Sequence, residues 1–211
     1  MTFDWDNITS MAYMTLIELN INAFPIPPNK ISCKEVIVSS FQKYAKITGT
    51  TIDELTCDHE FDDAFLLKEV RPGINMILYN KDKNESRIKH TLWHEVGHIK
   101  CGHQKHGEKE EIEAHFFAGQ ANAPNALIKT LAKRGYKITT QFLMECFALS
   151  EESAQKKMGY LNRFGFDHKN EYDNFILQQF SDYIDLKYPI KTKYFNDDYF
   201  DNLEKEREKW Y

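Results

Sequence analysis

Residues 94–98 read His94-Glu95-Val96-Gly97-His98, and this pentapeptide constrains the fold more than any other stretch of the chain. Four residues along a helix advance about 6 Å and rotate about 40°, so the two imidazoles project from one face and can clasp one ion. Glu95 lies roughly 100° further round the axis, too far to join the clasp but well placed to touch a water beside the ion. Neutral imidazole is a good zinc ligand, so zinc is the expected metal. Gly97 in mid-helix costs about 1 kcal/mol relative to Ala, a cost that makes sense where another element approaches the backbone closely. The fold therefore needs a second helix packed against this one.

A catalytic zinc usually takes three protein ligands and leaves one position open. His103 does not have the spacing of a third histidine ligand: six residues after His98 stands Gln104, and the glycine expected three after it is Cys101. His90 shares the helical stripe but lies about 12 Å along the axis from His98, too far for His90, His94 and His98 to hold one ion together. The stretch Glu110-Glu111-Ile112-Glu113-Ala114-His115-Phe116-Phe117-Ala118 offers a better candidate in Glu113, an acid on a helix whose other face is apolar. A carboxylate facing inward needs a partner. Ala114, Phe117, Ala118 and Ala121 keep that helix close to the first, small residues permitting a short interhelical distance. Glu110 and Glu111 read as solvated surface, and His115 as a group that orients a ligand or packs beside the site.

Composition supplies the setting. A chain of 211 residues can bury a real core, and 42% hydrophobic with 28% charged residues is ordinary for a folded soluble protein. Asp and Glu exceed Lys and Arg by 32 to 27, so no general attraction to nucleic acid is expected. Residues 1–10 carry Asp4 and Asp6 and lack a basic lead before an apolar run, so no secretion is expected. No stretch approaches the roughly 20 apolar residues that cross a bilayer. Cys33, Cys57, Cys101 and Cys146 are scattered without a CxxC pair, which fits reduced thiols in a cytoplasm better than a disulfide framework.

Along the chain, apolar spacing predicts a helix over residues 10–21, ended by the Pro25, Pro27, Pro28 cluster. A second helix is expected from Ser32, with Glu35 at the capping-box position, through Val36, Ile37, Phe41 and Tyr44 to Gly49. Residues 64–80 read as two strands about Arg71-Pro72-Gly73. Helices follow over residues 88–103 and 110–121, then shorter helical pieces over 125–161 and one or two more in the aromatic, Asp-rich and Lys-rich stretch beyond 165.

These features together resemble the ImmA/IrrE family of metallopeptidases. The strongest stretch is residues 88–124: the run into His94-Glu95-Val96-Gly97-His98, then Gly102-His103, the Glu113-Ala114-x-x-Phe117-Ala118 helix and Ala123-Pro124. The resemblance implies an α+β minimal zincin, gluzincin-like, with a short sheet beside the active-site helix and a helix-turn-helix-like unit over residues 138–161. It divides the chain into a peptidase domain (1–124), a small helical unit (125–163) and a C-terminal helical tail (164–211). It implies Zn2+ held by His94, His98 and Glu113, with Glu95 as catalytic base. The implied partner is a protein substrate, a helix-turn-helix transcriptional repressor of a mobile element or stress regulon. Two positions depart from the family pattern: His115 stands where Asn or Asp is usual, and His90 where Phe is often found. Tyr136, Arg71 and His115 are the residues that could stabilise an oxyanion. Two other readings stand beside this one. The first is a metal-binding regulatory or toxin-like partner of a repressor with little proteolysis. The second is a DNA-binding regulator using Lys129, Lys133, Arg134, Lys137, Lys156 and Lys157 around the helix-turn-helix-like unit.

Overall fold

The computed structural model describes residues 2–57, 63–105, 107–164 and 169–191. Helix α1 (Trp5–Glu18) starts before the apolar spacing announces it, because Asp4 caps it by accepting from the Asn7 N–H. The expected helix from Ser32 is not formed. Residues Val36–Ser40 make strand β1, and only Phe41–Thr48 form a helix, α2, capped by Ser40 and closed by Gly49 at φ 75°. Two facts explain the difference. Val36, Ile37 and Val38 are β-branched, and Ser32, read as an N-cap, instead accepts at Oγ from the Val38 N–H. A short helix α3 (Ile52–Thr56) follows, with Thr51 and Glu54 forming a capping box.

The two strands expected over residues 64–80 are present as β2 (Ala64–Arg71) and β3 (Ile74–Tyr79). They pair antiparallel, while β1 joins β3 in parallel, so among the described residues the sheet order is β1-β3-β2. The alternation along β3 splits the core: Ile77 joins the main cluster with Val36 and Ala64, and Leu78 packs with Phe41 and Phe65 on the other face.

Helices α4 (Glu85–Lys100) and α5 (Glu108–Asn122) fill the expected places. They are followed by α6 (Asn125–Lys133), α7 (Thr140–Phe147), α8 (Glu151–Phe164), α9 (Asp173–Gln179) and α10 (Ser181–Lys187). A tight turn with Ala148 at φ 51° joins α7 to α8. The main core runs from Ile8 and Leu16 of α1 through Leu92 and Trp93 of α4 and Phe117 of α5 to Phe180 and Ile184. The protein is thus α+β, mostly helical, with a small sheet beside the helix pair, a minimal zincin-like arrangement. The stretch beyond residue 191 lies outside the described residues.

Candidate metal centre

Asn84 starts α4 by accepting from the Ser86 N–H, and Ile88, Leu92, Trp93 and Val96 turn one stripe into the core. The side toward α5 carries His90, His94 and His98, with Glu95 about 100° further round from His94. Gly97 stands where the helices meet: a Cβ built there would lie 3.2 Å from Ala114 Cα, Ala114 O and Phe117 Cβ. That close approach lets side chains of both helices converge.

His94 Nε2 and His98 Nε2 lie 3.0 Å apart, facing each other. The carboxylate that meets them is Glu111, with Oε2 3.2 Å from His94 Nε2 and Oε1 3.4 Å from His98 Nε2. Two donors at usual metal–ligand distances and a tetrahedral angle are roughly 3.3 Å apart, so the two nitrogens, and each nitrogen and its nearer Glu111 oxygen, are spaced as donors to one metal ion would be. Glu95, one residue on from His94, is half-buried in the same helix.

Glu113, the expected third donor, is placed differently. Its Oε2 lies 3.1 Å from His103 Nε2, and its Oε1 3.5 Å from Lys109 Nζ. The reason is helical phase: Glu113 is about 200° round α5 from Glu111. Glu111 shares its stripe with Ala114, His115, Ala118 and Ala121, the small residues that approach α4. Glu113 is on the opposite flank of the α4 contact, one turn before Phe117, and meets His103 in the loop after α4 instead. Glu111, read from the sequence as solvated surface, belongs to that stripe, and its side chain is 39% exposed.

His115 is also close. One donor atom from each of His94, Glu111 and His115 falls within 4.8 Å of the others, and the His94 and His115 ring centroids are 4.4 Å apart. His98 makes the shorter contacts and is 2% exposed, whereas His115 is exposed and its Nδ1 lies 3.3 Å from His90 Nε2. His94, His98 and Glu111 are therefore the tighter set, with His115 at its mouth. Burial pushes His90 down to about 4, with His115 and Lys156 acting in the same direction and Glu152 opposing them, so His90 is neutral beside the site. The last two groups belong to α8, whose start borders this mouth.

Other candidates fall away. Tyr136 donates its hydroxyl to Pro189 O at 3.2 Å, and Arg71 ends strand β2 in the open. Burial pushes the Cys101 thiol up to about 12, which removes it from nucleophilic chemistry.

Residues 48–158, more than half of the chain, match the peptidase M78 family, described as the IrrE N-terminal-like domain. The chain belongs to this family. The match runs from the end of α2 into α8 and spans both helices of the centre, so membership supports a metallopeptidase function for the site just described. Comparison with curated proteins and with solved structures gave no match.

Proposed function

We propose that this protein is a zinc-dependent endopeptidase whose metal is held by His94, His98 and Glu111 and whose general base is Glu95. The observation that carries the reading is the triangle of His94 Nε2, His98 Nε2 and the Glu111 carboxylate, with edges of 3.0, 3.2 and 3.4 Å. Two imidazoles and one carboxylate suit zinc, and three protein ligands leave one position for water or substrate.

A bound zinc ion supplies Lewis acidity, polarising the scissile carbonyl and making water acidic enough to lose a proton near neutral pH. Glu95 accepts that proton and returns it to the leaving amine, so the peptide bond is hydrolysed with no covalent intermediate on the chain. His115, at the mouth, is placed to donate to a developing oxyanion.

An extended substrate fits the sheet at β2. A peptide has no free edge to join along residues 74–79, because β3 is the central strand. The edge next to the centre is β2: Lys68 Nζ donates to His103 O at 3.4 Å, tying this strand to the loop after α4. Main-chain pairing along that edge would hold a peptide extended beside the metal.

The substrate class follows from the resemblance to repressor-cleaving members: a helix-turn-helix transcriptional repressor, met in the cytoplasm. The four cysteines are free thiols, and no helix among the described residues is long and apolar enough to cross a membrane. Direct DNA reading by α8 is disfavoured by Glu151 and Glu152, both exposed in its first turn, the part of a recognition helix that enters the major groove of a polyanion.

The test is incubation of zinc-loaded wild-type protein and Glu95→Gln with repressors encoded beside its gene. Cleavage by the wild type alone supports the reading. Equal cleavage by both would remove Glu95 from the mechanism, and cleavage surviving complete zinc removal would remove the metal.

A further inference from the structure

The loop leaving α4 brings another imidazole against the back of His98. Gly102, at φ 71°, turns the chain so that the His103 N–H donates to His98 O at 2.9 Å. The His103 ring then lies with Nδ1 3.0 Å from His98 Nδ1 and Nε2 3.1 Å from Glu113 Oε2. The His103 and Glu113 side chains are 6% and 15% exposed, so the line from α5 to His98 is largely shielded from water. On its far side Glu113 faces a cavity of about 740 Å³, shared with Lys109, Trp5 and Tyr160.

The direction of each hydrogen bond follows from the group that has no proton to give. A carboxylate only accepts, so His103 donates from Nε2. A neutral imidazole that donates from Nε2 has its lone pair on Nδ1. The Nδ1-to-Nδ1 contact then requires His98 to donate from Nδ1, which leaves the His98 Nε2 lone pair directed at His94 and Glu111. Reversing the chain would put a proton on His98 Nε2, where it blocks a metal.

We infer that Glu113 and His103 are positioning residues, a two-link relay that holds His98 in the tautomer and orientation needed to bind the metal. This rests on the metal reading above. It also gives the inward carboxylate of Glu113 a role distinct from ligation. Partners of this kind typically change metal affinity by about 10- to 100-fold when removed.

The experiment is zinc affinity by chelator competition for wild type, His103→Phe, His103→Gln and Glu113→Gln, with circular dichroism to confirm folding. His103→Phe is expected to weaken zinc binding by about 10- to 100-fold. Glu113→Gln, which keeps an acceptor but loses the charge, falls between it and wild type. His103→Gln, able to accept from His98 and donate to Glu113, recovers part of the loss. In the zinc-loaded protein, ¹⁵N NMR should show a coupling between the Nδ1 atoms of His98 and His103 across their hydrogen bond, absent in His103→Phe. Should His103→Phe fail to fold, Glu113→Gln and the wild-type coupling still decide the matter. Wild-type zinc binding with unchanged affinity in the folded variants, or with no such coupling, overturns the relay alone. Failure of the wild type to bind zinc overturns the metal reading and the relay with it.

Discussion

Helix α5 has two acidic positions two residues apart, and they live in different surroundings. Glu111 is on the small-residue stripe against α4, 39% exposed, with its carboxylate against the imidazoles of His94 and His98. Glu113 is on the opposite flank of that contact, 15% exposed, with an imidazole on one oxygen and Lys109 near the other. Burial alone would choose Glu113 as the ligand. On the reading proposed above, the difference teaches that a ligating carboxylate is recognised by what its helical stripe approaches and not by its own burial.

The largest effect should come from the α4 side of the open face. Glu95→Gln is expected to lower cleavage by about 10²- to 10⁴-fold while zinc content stays at the wild-type level, measured by turnover and metal analysis. Loss of zinc together with activity would mean that Glu95 belongs to the ligand set and that the open face is built otherwise.

The closeness of α5 to α4 can be tested at Gly97. Alanine should gain about 1 kcal/mol of helix propensity. The new methyl, however, meets the Ala114 backbone, which cannot move aside cheaply, and overpacking costs about 1–3 kcal/mol. A net loss of about 1 kcal/mol in urea unfolding is expected, with zinc affinity falling as the stripe is pushed away. A Gly97→Ala protein that gains stability would show that the helices do not need this approach.

The smallest effect lies at the other end of α5, where Lys157 donates to Gly119 O and Gln120 Oε1 with no acid beside it among the described residues. Burial pushes its amine down to about 7. The unfolded chain keeps the ordinary lysine value of about 10.4, so between these values the unfolded state holds more protons and stability rises with pH. Below about 7 both states are charged and the contribution is flat at its lowest. Urea midpoints at about pH 7 and about pH 9.5 should therefore rise more for wild type than for Lys157→Met. Parallel shifts would mean that the buried amine stays charged throughout.

Much of this was legible in the sequence. The β2–β3 hairpin showed itself because apolar runs flank Arg71-Pro72-Gly73, and α4 because its histidines and apolar residues share one period. What was not legible depended on partners distant in sequence. Strand β1 looked like a capped helix because Ser32 and Glu35 fit a local rule, while the parallel pairing of Val36 with Asn75 is invisible locally. On the proposed reading, Glu111 escaped notice as the third donor for a related reason. An acidic first turn, Glu108, Glu110 and Glu111, reads as solvated surface and also suits a helix N-terminus. Only the stripe of Ala114, His115 and Ala118 three, four and seven residues beyond Glu111 marks it as facing α4. The role of His103 had no spacing signal, because it reaches His98 around the turn at Gly102.

The most direct test of the central claim is zinc stoichiometry and affinity for wild type, Glu111→Gln and Glu113→Gln, side by side. With Glu111 as a ligand, Glu111→Gln should lose stoichiometric zinc under conditions where Glu113→Gln retains it with an affinity at most about 100-fold weaker. Full zinc in Glu111→Gln and none in Glu113→Gln would contradict the account and return the third ligand to Glu113.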